Sequence, residues 1–161
     1  MVIIVMGVSG AGKTTVGSLL AAELHWDFAD ADDFHSRANV EKMRAGVPLT
    51  DADRAPWLHT LRGLIARWIA ERKNAVLACS ALKQSYRDVL QLDDHIRFVY
   101  LNGDRELFSQ RLFDRHNHYM KQQMLDSQLL TLEPPMNAVV VDANAAPETI
   151  VREIRRQLDL T

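Results

Sequence analysis

The sequence predicts a three-layer α/β fold, a five-stranded parallel sheet flanked by helices, and three observations carry that prediction. Short apolar runs alternate with stretches of helical periodicity, the pattern of strands joined by crossover helices. Gly7-Val8-Ser9-Gly10-Ala11-Gly12-Lys13-Thr14 stands between the first apolar run and the first helical stretch, as a glycine-rich strand-to-helix turn. The acidic run Asp30-Ala31-Asp32-Asp33 follows the second apolar run, so carboxylates gather at the carboxyl end of a strand, the edge where open α/β sheets bind ligands.

Each element has its own signal. Strands are expected at Val2–Met6, Trp26–Ala29, Ala75–Cys79, Ile96–Leu101 and Ala138–Val141, all brief and rich in β-branched or aromatic residues. Helices are expected at Lys13–Leu24, Ser36–Arg44, Pro56–Arg72, Lys83–Leu90, Asp104–Arg115, Lys121–Leu130 and Pro147–Leu158. The third is the clearest: Trp57, Leu61, Leu64, Ile65 and Trp68 recur at helical spacing, and Pro56 suits a first turn. Gly46-Val47-Pro48 and Glu133-Pro134-Pro135 read as local turns, and no repeat or linker divides the chain, so residues 1–161 are read as one domain.

Composition narrows the function classes. A chain of 161 residues, 47% hydrophobic and 25% charged, can bury a core without disulfides or metals. Its formal net charge of −2 offers no general attraction to nucleic acid or anionic lipid, so neither is expected as a partner. Cys79 is the sole cysteine and follows Ala75-Val76-Leu77-Ala78, which reads as a strand end rather than a reactive thiol. With no stretch long enough to span a membrane and no signal-peptide pattern, a cytoplasmic location is expected.

The glycine-rich turn is a complete G-x-x-x-x-G-K-[ST] phosphate loop. Its glycines let successive backbone N–H groups face one point, and the following helix adds the positive end of its dipole. Gly7, Val8, Ser9, Gly10, Ala11, Gly12, Lys13, Thr14 and Thr15 are therefore the expected contacts of a nucleoside triphosphate, with Lys13 on the β and γ phosphates and the Thr14 hydroxyl on Mg²⁺. Asp30 and Asp32, one residue apart, can point to the same side of an extended segment. Asp30 is assigned to the hydrated Mg²⁺ and Asp32 to the hydroxyl that attacks phosphorus. Asp33 reads best as the cap of the next helix, and His35 as a hydrogen-bond partner for a substrate hydroxyl.

Between residues 105 and 121 the chain carries Arg105, Arg111, Arg115, His116, His118 and Lys121 against Glu106 and Asp114. Phosphoryl transfer spreads negative charge over the moving group, and arginines closing over it stabilise that charge. Arg111 and Arg115 share one helix face at i, i+4, so a mobile lid over residues 115–130 is expected, with Arg115 as the catalytic cation. A solvated face with ordinary ion pairs is the plainer alternative.

Taken together, these residues resemble the gluconokinase family of small P-loop kinases. The resemblance rests on the phosphate loop, Asp30 to His35, Asn39-Val40-Glu41-Lys42-Met43, Gly46 to Leu58, Cys79-Ser80-Ala81-Leu82-Lys83 with Tyr86-Arg87, Arg115 to Met120, Ser127-Gln128 and Leu132-Glu133-Pro134. It implies a P-loop kinase fold with a helical lid, a homodimer, ATP and Mg²⁺ as cofactors, and transfer of phosphate to the 6-hydroxyl of D-gluconate. Within it, Arg54 and Arg87 suit the substrate carboxylate and Asp32 and His35 its hydroxyls. The resemblance further implies that His118 and Gln128 line the acceptor pocket, and that Arg111 stacks on adenine opposite the loop Asp142 to Ala145. This chain departs from the family pattern at Ala31, Asn117 and Tyr119, where glycine, glycine and phenylalanine are usual. A related kinase acting on another aldonate or a shikimate-like acceptor, and a nucleotide-binding module without catalysis, are the alternatives.

Overall fold

The computed structural model describes residues 1–113 and 118–161, with side chains described for all of these except 118–120. Arg115 and Asn117 therefore lie outside the described residues, as do the side chains of His118 and Tyr119.

Five strands, β1 (Val2–Met6), β2 (Asp27–Asp30), β3 (Ala75–Ala78), β4 (Ile96–Asn102) and β5 (Val139–Asp142), form one sheet in the order β2-β3-β1-β4-β5. Every pairing is parallel. Central β1 and β3 are buried along their whole length, as expected of strands covered on both faces. Around the sheet run α1 (Lys13–Leu24), α2 (Arg37–Arg44), α3 (Asp51–Ala70), α4 (Gln84–Leu90), α5 (Arg105–Phe113), α6 (His118–Thr131) and α7 (Pro147–Gln157), with a 3₁₀ turn at Ala31–Phe34. Helix α1 packs on β2, β3 and α7, while α3 packs on α4 and reaches β1. Ile3, Ile4, Leu20, Leu61, Ile65 and Leu77 are among the fully buried side chains that fill the space between these layers.

The expected elements all form, with shifts that have local causes. Helix α3 starts at Asp51 rather than Pro56 because Thr50 and Asp53 make a reciprocal capping box, Thr50 Oγ1 accepting from the Asp53 amide at 3.1 Å and the Asp53 carboxylate accepting from the Thr50 amide at 2.9 Å. Pro56 is carried inside the helix. Asp33 is not the cap of α2: Ser36 accepts the Asn39 amide at 3.2 Å, and Asp30 caps the 3₁₀ turn by accepting the Asp32 amide at 2.9 Å. Helix α6 begins three residues earlier than expected, at His118.

Parallel register brings the functional strand ends level. Asp30 pairs with Ala78, and Ala78 with Val5, two residues before the glycine-rich turn begins. The turn and the acidic segment, far apart in sequence, thus open on the same edge of the sheet. No described helix is long and apolar enough to cross a membrane.

Candidate active site

The turn after β1 takes the shape its glycines permit. Gly10 and Gly12 adopt φ of +85° and +95°, in the left-handed region that side chains disfavour. A Cβ added at Gly10 would stand 2.8 Å from the Phe108 carbonyl oxygen, so the close approach of α5 also requires glycine there. Gly12 is the N-cap of α1 and brings no side chain to cap it, nor is there an acidic residue in the first turn. The positive end of α1 is thus left for an anion rather than spent on the protein's own carboxylates.

A cleft of ≈ 260 Å³ opens over this turn, and Lys13, Thr14, Thr15 and Asp32 line it. Met43 of α2, Leu112 of α5, and Lys121 and Met124 of α6 complete its walls. Lys13 Nζ donates to the Val8 carbonyl at 3.1 Å, folding the ammonium back over the turn. The Thr14 hydroxyl donates to Asp30 Oδ2 at 2.5 Å, which puts a hydroxyl and a carboxylate oxygen side by side at the cleft. Two hard oxygen donors so placed suit Mg²⁺. Asp32 is open to the cleft yet crowded by protein. That desolvation is the largest cause raising its carboxyl pKa above the ordinary value of 3.8; Lys13 opposes it, and Asp30 and Asp33 reinforce it.

Beyond Asp32 the site is built from side chains. The His35 ring stacks on Trp57, with centroids 4.3 Å apart and planes 12° from parallel, and Trp57 Nε1 donates to the Ala31 carbonyl at 2.7 Å. Burial, and next the Arg54 cation, lower the His35 pKa to about 4, so the ring is neutral at pH 7. Arg54 donates to the Tyr86 hydroxyl at 2.9 Å and lies over its ring. Asp51 accepts from that hydroxyl at 2.5 Å and from Lys83 at 3.0 Å, while Asp53 accepts from Lys42. The nearby carboxylates are therefore engaged with other cations, and Arg54 keeps donors for a ligand.

Two expectations change on these contacts. Arg87 is a buried structural post rather than a carboxylate ligand: it is only 3% exposed and donates to the carbonyls of Ala81 (2.7 Å), Leu82 (3.2 Å) and Glu133 (2.8 Å). Glu133 also accepts the Gln84 amide at 3.0 Å, so Arg87 and Glu133 together fasten the segment after α6 to the start of α4. Gln128 reaches the phosphate loop rather than the acceptor side, its Oε1 accepting from the Ser9 amide at 2.7 Å and the Ser9 hydroxyl at 3.2 Å. Arg111 ties its guanidinium to the carbonyls of Gly10 and Ala11, both at 3.1 Å, and to that of Ala143. It thus ties the phosphate loop to the loop after β5, the loop expected to cover adenine on the side opposite Arg111. Arg105 pairs with Asp126 of α6 at 2.6 Å, across helices rather than along one. Cys79 is buried and its thiol is pushed up to about 12, chiefly by desolvation, as an inert core thiol.

Sequence reasoning gave no role to Lys121, although its place in the basic cluster was the available signal. Nor did it give a site role to Asn39 or Trp57, which act there through contacts between elements that leave no local signature.

A family model described as Shikimate kinase matches residues 9–159. A probable gluconokinase from Xenopus tropicalis is 43% identical, the match spanning 99% of this chain and 94% of that protein. The gluconokinase of Gluconobacter oxydans (strain 621H) is 44% identical over 96% of this chain and 89% of its own. Among solved structures, a gluconokinase from Sinorhizobium meliloti 1021 superposes with a TM-score of 0.86 at 40% identity, covering 98% of this chain and 90% of the other.

Proposed function

Because the chain belongs to the gluconokinase family of small P-loop kinases, we propose that it transfers the γ-phosphoryl group of ATP to the 6-hydroxyl of D-gluconate, giving 6-phospho-D-gluconate and ADP. The observation that carries this reading is the convergence of Lys13, Thr14 and Asp32 on one cleft, with Asp30 bonded to Thr14 at its edge. In the transfer, the gluconate 6-oxygen bonds to the γ phosphorus as the bond to the β–γ bridging oxygen breaks, and ADP leaves. Asp32 takes the hydroxyl proton, and its raised pKa makes it a better base than a solvated aspartate. Lys13 and the loop amides hold the charge of the phosphates. Mg²⁺, when bound at Thr14 and Asp30, supplies further neutralisation of that charge. Lys121 adds a cation from the α6 wall, and Arg115 is proposed as the second, on the family pattern.

On the acceptor side, Arg54 is proposed for the gluconate carboxylate and His35 for a further contact. Arg111 and the loop Asp142 to Ala145 are proposed to enclose adenine. A homodimeric state, which the resemblance supports, and a cytoplasmic location, which the single buried cysteine supports, complete the reading.

The test is an ADP-release assay with purified protein, Mg²⁺ and ATP against gluconate, other aldonates, shikimate and nucleoside monophosphates. Release that depends on gluconate is the expected result. Activity confined to shikimate or a nucleoside monophosphate would overturn the acceptor assignment, and nucleotide binding without acceptor-dependent release would overturn catalysis.

A further inference from the structure

We propose that Asn39 is a positioning residue that fixes the His35 imidazole as a hydrogen-bond donor, with its proton on Nε2, and so makes the corner beside Arg54 a donor-only site for the carboxylate end of the sugar acid. The orientation of the Asn39 amide is settled by its partner on α3. Asn39 Nδ2 lies 2.8 Å from the Asp53 carbonyl oxygen, which can only accept, so the NH₂ group faces it. The same Nδ2 lies 3.4 Å from His35 Nδ1. An NH₂ group offers only donors, so Nδ1 is the acceptor of this long contact and the neutral ring carries its hydrogen on Nε2. Asn39 is 5% exposed, and water does not compete freely for these bonds.

The ring cannot easily turn to escape that assignment, because it lies stacked on Trp57 at 4.3 Å and the indole is itself held by Ala31. Nε2 has no hydrogen-bond partner among the described residues and is not sealed from solvent. With a pKa lowered to about 4, the ring stays neutral at pH 7. It therefore presents one N–H, beside an arginine that presents only donors. A corner of donors alone prefers a ligand group that only accepts, and on a sugar acid that is the carboxylate. The alcohol end, which must give up a proton, is left to Asp32. This assignment of the two ends rests on the proposed aldonate kinase reading; the tautomer assignment does not.

The first measurement is the ¹⁵N side-chain shifts of His35 in the labelled full-length protein at pH 7, read by long-range ¹H–¹⁵N correlation. An Nε2–H tautomer is expected, and a dominant Nδ1–H tautomer would overturn the proposal in the unmodified protein, whatever the variants do. Asn39→Ala is expected to mix the tautomers and raise the gluconate KM about tenfold, with smaller changes in kcat and in the ATP KM. Asn39→Asp, whose carboxylate accepts, is expected to draw the proton to Nδ1 or charge the ring. An unchanged tautomer in both variants, or a folded Asn39→Ala with unaltered gluconate KM, would also overturn it. If no aldonate is phosphorylated at all, the kinase reading falls while the shifts still decide the role of Asn39.

Discussion

The phosphate side of the cleft and the acceptor side are made of different materials. The first is main chain: nine consecutive residues, Gly7 to Thr15, two glycines in left-handed conformation and an uncapped helix end. The second is side chain: Asp32 from the 3₁₀ turn, His35 on Trp57, and Arg54 on Tyr86, drawn from the 3₁₀ turn, the residue that follows it, α3 and α4. A main-chain device works wherever its backbone angles are met, so its chemistry follows from a contiguous motif. A side-chain device works only through its neighbours, and the same residue type can be a ligand group in one place and a strut in another.

The largest expected effect breaks the two sides apart. Asp32→Asn removes the base while leaving the phosphate loop intact, so kcat should fall on the order of 10²–10⁴-fold with ATP affinity nearly preserved. Steady-state kinetics beside nucleotide titration calorimetry would check it; equal loss of ATP affinity would mean Asp32 holds the nucleotide side together instead. The raised pKa gives a sign to the pH dependence as well. Asp32 must be ionised to accept the proton, so kcat/KM should fall as pH falls through a value above 3.8, and Asp32→Asn should abolish that limb.

Two arginines sharpen the comparison at a smaller scale, within about 1–3 kcal/mol. Arg87 donates to three backbone carbonyls and is 3% exposed, so Arg87→Lys leaves buried acceptors unpaired. It should lower the thermal midpoint by several degrees with little change in the gluconate KM of the folded fraction. Arg54 is half-buried and keeps donors to spare, so Arg54→Lys should do the reverse: raise the gluconate KM about tenfold, near 1.4 kcal/mol, and hardly move the midpoint. Melting curves and KM values for the pair decide the matter, and identical behaviour would erase the distinction drawn between them.

The same contrast explains what the sequence disclosed. All five strands and the phosphate loop were legible, because hydrophobic periodicity and a contiguous motif encode them. Arg54 and Arg87 were not separable, since both are arginines close to expected ligand edges. What parts them is which carbonyls and carboxylates reach each one after folding. Gln128 takes an acceptor-side role from the resemblance alone, and nothing in residues 118–131 shows that its amide meets Ser9, 119 positions away. The start of α3 differs for a simpler reason: Pro56 suits a first turn, but the Thr50–Asp53 box that precedes it starts the helix earlier.

The smallest expected effect isolates one residue of the acceptor side. His35 has a folded pKa of about 4 against an unfolded value near 6.5, because burial and Arg54 disfavour its cation. Between those values the unfolded chain binds a proton that the folded chain refuses, so acid lowers stability across that window. Above pH 6.5 the ring is neutral in both states and contributes no slope; below about 4 both states are charged and the slope ends again. Replacement by glutamine removes this linkage and leaves the carboxylates on the phosphate side as they were. Urea midpoints at pH 7 and pH 5 should therefore differ less in His35→Gln than in the unmodified protein. Carboxylate titration common to both cancels in that difference, so an equal loss in the two proteins would mean that the stacked ring is not held neutral, and that the acceptor side is no more acid-sensitive than the loop it faces.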